Sequence, residues 1–194
     1  HIMVADEENF HTTNRKRFMA QAALNNPDAI VITHTAFKLL KMKAENITPV
    51  RERIIRELQE SLAELEDDKT INRIKIKQME KRIEQTEQRF DSMIAGGDNV
   101  LTFEDMGVDF LFVDEAHQFR KLDFTTNRQA KGIDPIGSVR AMDLYIKTRW
   151  LSSVNKGRSH VFASGTPVTN TMGELYTVMK FFMEEEMDSE GIHY

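Results

Sequence analysis

Short apolar runs alternate along the chain with longer stretches in which apolar residues recur at helical spacing. Three runs, Ala29 to Ile32, Phe110 to Val113 and Val161 to Ala163, have the length and boundaries of buried strands, and Val4 with Ala5 reads as a truncated fourth. The first helical pattern, Asn14 to Leu24, places Phe18, Met19 and Ala22 on one side and stops before Pro27. A second runs from Ser138, as N-cap, to Ser153, with Met142, Tyr145, Ile146 and Trp150 as its apolar stripe. A third opens at Thr171 with Glu174 three residues on, the spacing of a capping box, and turns Leu175, Val178, Met179 and Phe182 inward. This alternation predicts an α/β fold: a parallel sheet in which the strands at 29–32, 110–113 and 161–163 lie side by side, covered on both faces by these helices.

From Thr48 to Met93 the composition shifts to Glu, Lys, Arg, Gln and Ile, with a seam at Ile55, Leu58, Leu62, Leu65, Ile76, Met79, Ile83, Phe90 and Met93. An unbroken helix of that length would carry the chain about 60 Å from the sheet, whereas the flanking strands belong together. The seam weakens at Asp67, Asp68 and Lys69, and Thr70 can cap a new helix, so residues 48–93 are predicted to form an inserted antiparallel helical hairpin. Its charges read as a solvated face, with the tip as a candidate partner surface.

Composition narrows the setting. The 194 residues are 40% hydrophobic and 29% charged, as in globular proteins, and no apolar run is long enough to span a bilayer. The absence of cysteine excludes disulfides and thiolate metal sites and fits a reducing cytoplasm, the expected location. A net charge of -5 argues against a strongly basic surface that would bind nucleic acid by bulk charge alone, so any such contact must be local.

The chemistry concentrates at two strand ends. Residues 110–117, FLFVDEAH, form an apolar run ending in Asp114 and Glu115, and ligands of open parallel sheets bind beyond the carboxyl ends of the strands. Of two adjacent carboxylates, one can hold Mg²⁺ while the other orients and deprotonates the water that attacks a γ-phosphate. A bare acidic pair commonly just caps the strand or starts the next helix; the strand and the DEAH string together give it meaning. Residues 161–170, VFASGTPVTN, end a second apolar run in a small, hydroxyl-rich turn. No H-E-x-x-H spacing or other histidine cluster suggests a zinc site.

DEAH followed by SGTP, Asn170, Glu174, Leu175 and Phe182 resembles motifs II and III of superfamily 2 helicases, in particular the Swi/Snf-like branch. Residues 103–117 and 143–150 resemble large phage and plasmid proteins that join such a helicase to an adenine-specific DNA methyltransferase, and residues 28–37 resemble the strand and turn of motif Ib. The resemblance implies a partial RecA-like domain with ATP and Mg²⁺ as cofactors. DNA, the rest of the helicase chain and a methyltransferase domain are the implied partners. It makes Asp114 the metal-coordinating residue, Glu115 the catalytic base, and His117, Ser164, Gly165 and Thr166 the link between nucleotide state and domain movement. Thr33, His34 and Thr35 become candidate contacts to the DNA backbone, although His34 alone reads equally well as a half-buried turn histidine.

The departures matter as much. There is no G-x-x-x-x-G-K-[ST] loop; residues 132–139, GIDPIGSV, imitate its glycine spacing but lack the lysine and follow the DEAH strand. By this resemblance residues 1–194 correspond to the downstream part of a first RecA-like domain, from motif Ib to beyond motif III, and are expected to be inactive alone. The connection 118–136, with Arg120, Lys121, Arg128 and Lys131, reads as a solvated loop, contact with DNA phosphates being the rival reading. Glu184 to Glu190 reads as a solvated acidic end. The functional alternatives are a non-catalytic interaction module displaying the hairpin to a protein, and a small hydrolase of another class, for which no nucleophile and base are legible.

Overall fold

The computed structural model describes residues 1–67, 73–94, 101–122, 137–169 and 171–192. Asp68 to Thr70 of the expected hairpin turn, Arg128, Lys131, the glycine-spaced segment from Gly132 to Ile136, and Asn170 lie outside the described residues. In chain order the elements are β1 (Ile2–Ala5), α1 (Arg15–Asn25), β2 (Ala29–Ile32), α2 (His34–Phe37), α3 (Ala44–Asp67), α4 (Arg73–Met93), β3 (Leu111–Val113), α5 (Val139–Val154), β4 (His160–Phe162) and α6 (Met172–Ser189). Two 3-10 turns, Glu104–Met106 and Ala116–Phe119, complete them. Phe18, Met19 and Ala22 bury the inner face of α1, and Asn26 ends it in a left-handed conformation ahead of Pro27.

Among the described residues the strands form two parallel pairs, not one sheet. β1 pairs with β2 from Ile2↔Ala29 to Ala5↔Ile32, and β3 pairs with β4 from Leu111↔His160 to Val113↔Phe162. The expectation that the strand at 29–32 lies beside the strand at 110–113 is therefore corrected. Residues 2–5 supply a full-length partner for β2, and the two pairs meet instead through side chains at their carboxyl ends, where the His34 ring stands on Phe119 at 4.8 Å. The expected cover on both faces is also incomplete: Ile2, Val4 and Val31 on one pair, and Phe112 and Val161 on the other, are exposed.

α5 is the centre of the molecule rather than a cover. Residues 141–148 are buried on every side, including Asp143, Lys147 and Thr148, which no apolar stripe would place inside. Lys147 donates to Asp143 at 2.7 Å and to the Phe37 carbonyl at 3.0 Å, and its ammonium lies 4.3 Å from the centre of the Phe37 ring. Burial pushes the Asp143 carboxyl up and the Lys147 ammonium down from their ordinary values, each opposed by the other's charge.

α6 is rotated from the face expected of it. Glu174, Thr177, Phe181 and Glu184 point inward, whereas Leu175 and Phe182 are exposed. Polar partners account for the rotation. Glu184 accepts from Arg53 at 3.1 Å and from the Tyr145 hydroxyl at 2.5 Å, with Arg149 and Lys180 at 3.5 and 3.4 Å. Burial alone would raise the Glu184 carboxyl, but Lys180, the Tyr145 hydroxyl, Arg53 and Arg149 together hold it below the ordinary range. A non-helical residue, Met183, kinks α6 immediately before Glu184. Glu184 is thus not part of a solvated acidic end, and Arg53 is not part of a solvated hairpin face.

α3 starts at Ala44, ahead of Thr48, and runs through Pro49; the Thr48 hydroxyl donates to the Ala44 carbonyl at 2.8 Å within this first turn. α3 and α4 pack antiparallel, since the start of one lies beside the end of the other: Arg51 pairs with Asp91 at 3.3 Å, and the Met42 amide donates to the Met93 carbonyl at 3.2 Å. Their seam is tapered. Ile55, Leu58, Phe90 and Met93 are buried near the body, while Leu62, Leu65, Ile76, Met79 and Ile83 are only half-buried farther out.

Candidate functional site

The parallel register of β3 and β4 brings Asp114 and Ser164 to the same, carboxyl end of the pair. The ladder continues past the strands: the Ala163 amide donates to the Val113 carbonyl at 2.9 Å, and the Ala116 amide donates to the Ala163 carbonyl at 3.0 Å. Between these bonds the chain turns sharply at Glu115, whose backbone is left-handed (φ 49°, ψ 42°). Such a conformation costs a non-glycine residue about 1 kcal/mol. One Asp114 carboxylate oxygen accepts from the Glu115 amide at 2.8 Å, which steadies the turn.

His117 joins the two strand ends. Its Nδ1 lies 3.0 Å from a Glu115 carboxylate oxygen and 3.4 Å from the Ser164 hydroxyl, so a proton on Nδ1 is drawn first to the carboxylate. Ser164 Oγ in turn accepts from the Thr166 amide at 3.1 Å. Asp114, Glu115, Gly165 and Thr166 are exposed, while His117 and Ser164 are half-buried. The arrangement presents two carboxylates to solvent with an imidazole and a hydroxyl behind one of them, which suits general-base chemistry on an entering ligand.

The other three sequence candidates lie at the end of β2. Thr33 caps α2, its hydroxyl accepting from the Ala36 amide at 3.2 Å. His34 Nδ1 lies 3.4 Å from Gln118 Oε1, an oxygen that also accepts from Arg140 at 2.6 Å. Thr35 is exposed. The loop after β2 therefore touches the residues following DEAH through His34, whereas Thr33 is engaged in its own helix.

Sequence reasoning missed Arg120. Taken for a solvated loop cation, it is folded inward: its Nη1 donates to the Thr166 carbonyl and its Nε pairs with Glu174, both at 3.2 Å. Local sequence carried no signal for it, since the capping-box spacing of Thr171 and Glu174 predicts the carboxylate on the Thr171 amide, whereas one of its oxygens accepts from the Thr169 amide at 2.9 Å and the other pairs with Arg120. Among the described residues no group of three or more His, Asp or Glu converges as a metal centre. Mg²⁺ does not require one, because it keeps several waters and is commonly held by one or two carboxylates together with phosphates; the exposed Asp114 carboxylate is the side chain that would serve in that way. A cavity of about 750 Å³ lies at the opposite end of the β3–β4 pair, against Phe110, Arg158, His160 and Phe182, away from these carboxylates.

Comparison with known proteins locates the chain. It is 34% identical over 88 residues to "Defense against restriction protein B" of Escherichia phage P1, an alignment covering 43% of this chain and 4% of that protein. The chain thus spans a small fraction of the length of this relative. No solved structure matches it. The whole chain, residues 1–194, matches the family described as "Probable helicase domain", and it belongs to that family.

Proposed function

We propose that this chain is the part of an ATP-driven DNA motor of superfamily 2 that supplies the magnesium-binding carboxylate, the catalytic base and the turn that couples hydrolysis to movement. The observation that carries this reading is His117, placed between Glu115 at the end of β3 and Ser164 after β4. Asp114 would hold Mg²⁺, which when bound neutralises charge on the transferred phosphoryl group. Glu115 takes a proton from the attacking water, and the His117 imidazole fixes the carboxylate that does so. Because Ser164 reaches the same imidazole, a shift of the SGTP turn and a change in the Glu115 carboxylate are mechanically linked. Thr35, with the His34 loop behind it, is the candidate DNA-backbone contact.

No phosphate-binding loop is legible in residues 1–194, and in phosphoryl transfer positioning supplies most of the catalysis. The isolated chain is accordingly expected to turn over no ATP, with or without DNA. In the full-length protein that carries this domain, Glu115→Gln should reduce hydrolysis by about 10²–10⁴-fold while nucleotide binding persists. Asp114→Asn should weaken the magnesium-dependent part of binding. Parental turnover in the Glu115 variant, or unaided turnover by the isolated chain, would overturn the assignment.

The tapered seam of α3 and α4 supports a second reading, in which the half-buried outer part of the hairpin docks a protein partner and the domain is non-catalytic. Full-length protein lacking ATPase activity altogether would favour it.

A further inference from the structure

We infer that Arg120 and Glu174 form a clamp that positions the SGTP turn against His117, making Arg120 a positioning residue for hydrolysis; this rests on the motor reading above. Residues 163–169 lie outside helix and strand, and Gly165 to Thr169 are exposed, so packing does not hold them in place. Directed polar contacts do. The Arg120 guanidinium reaches the Thr166 carbonyl from one nitrogen and the Glu174 carboxylate from another. The second oxygen of Glu174 accepts from the Thr169 amide at 2.9 Å and from the Thr169 hydroxyl at 3.3 Å. The Arg120 carbonyl accepts from the Thr177 hydroxyl, which ties the turn after DEAH to the first part of α6. The result is a closed loop of contacts: the segment after β3, both flanks of the turn after β4, and α6.

Burial decides what this arginine can do. The Arg120 and Glu174 side chains are 19% and 10% exposed, so the guanidinium is largely withdrawn from water and from an approaching DNA phosphate. A planar fork that serves an ion pair and a carbonyl together holds geometry in a way that a lysine ammonium on a flexible stem does not. The line of action runs from Arg120 to the Thr166 carbonyl, from the Thr166 amide to Ser164 Oγ, and from Ser164 to His117 and Glu115. Arg120 touches neither Asp114 nor Glu115 in this chain of contacts. It sets where the hydroxyl behind the base sits.

The test uses the full-length protein, measuring DNA-stimulated ATPase as kcat and KM for ATP. Arg120→Ala should lower kcat by about 10- to 100-fold, the scale of a small misplacement of catalytic groups, and leave KM within about twofold. Arg120→Lys keeps the charge opposite Glu174 but cannot serve the Thr166 carbonyl at the same time, so it should restore stability and recover kcat only in part. Should Arg120→Ala fail to fold, the lysine variant decides alone: reduced kcat at parental KM supports the clamp, and parental kcat overturns it. A rise in KM with parental kcat in either variant also overturns it, since that is the signature of a lost binding contact. Glu115→Gln runs alongside. If it abolishes hydrolysis while the Arg120 variants stay at the parental kcat, the clamp fails and the motor reading stands; if it leaves hydrolysis intact, the motor reading itself fails.

Discussion

Two contacts of nearly equal length between a carboxylate and a side-chain nitrogen sit in opposite surroundings. Lys147 and Asp143 are 2.7 Å apart with side chains 0% and 6% exposed, whereas His117 and Glu115 are 3.0 Å apart with side chains 33% and 59% exposed. Inside α5 the ammonium has exchanged water for a carboxylate, the Phe37 carbonyl and the face of an aromatic ring. At the end of β3 the carboxylate faces solvent and its attraction to the imidazole is screened. The first pair is held still by its desolvated surroundings. The second is open to an arriving ligand and depends on neighbouring turns for its geometry. Distance alone would have ranked them alike.

That contrast can be broken most severely in the core. Lys147→Ala should cost about 3–5 kcal/mol in urea unfolding, because it leaves the Asp143 carboxyl buried without its partner. The double variant Lys147→Met with Asp143→Leu should recover most of the loss, since no charge is then stranded. A single-variant cost below about 1 kcal/mol would mean that the core pair behaves like a surface pair. At the other pair the expectation inverts. His117→Ala should change stability by about 0–1 kcal/mol but lower the ATPase rate of the full-length protein, and a large unfolding effect with unaltered turnover would reverse the assignment of roles.

A pH-dependent effect lies at the amino end of β4 and sharpens the comparison. Burial pushes the His160 imidazole down to about 4 from 6.5, so it stays neutral in the fold while the unfolded chain takes up a proton. The stability this group confers is complete above pH 6.5 and is lost as pH falls from there towards about 4. Melting temperature should decline across that window, with the decline shallower in His160→Phe. Glu184, whose carboxyl is held low, adds a separate acid loss, so the difference between parent and variant is the quantity to read. Identical slopes would show that His160 does not titrate differently in the fold.

Much of the candidate site was legible because it depends on local order along the chain. An apolar run followed by acids, and another followed by hydroxyls, need only pair in parallel for Asp114 and Ser164 to share an end. What was hidden depends on contacts across the chain. Lys147 and Asp143 look like the wet side of a helix until Phe37 and Phe103 close over them. Leu175 and Phe182 look like the buried side of α6 until Arg120 and the Arg53–Tyr145 group draw Glu174 and Glu184 inward. Strand pairing was misjudged for a related reason: apolar runs mark strands but carry no label for their neighbours, and β2 pairs with residues 2–5, a run only partly legible as a strand.

The left-handed backbone at Glu115 has a consequence for anyone engineering this domain. On conformational grounds alone, position 115 favours glycine or asparagine, and a glutamate there costs the fold about 1 kcal/mol. Directed evolution for heat resistance, run without a selection for activity, would therefore be drawn to replace the very carboxylate proposed as the base. Thermostabilised libraries of this domain should hold position 115 constant from the outset.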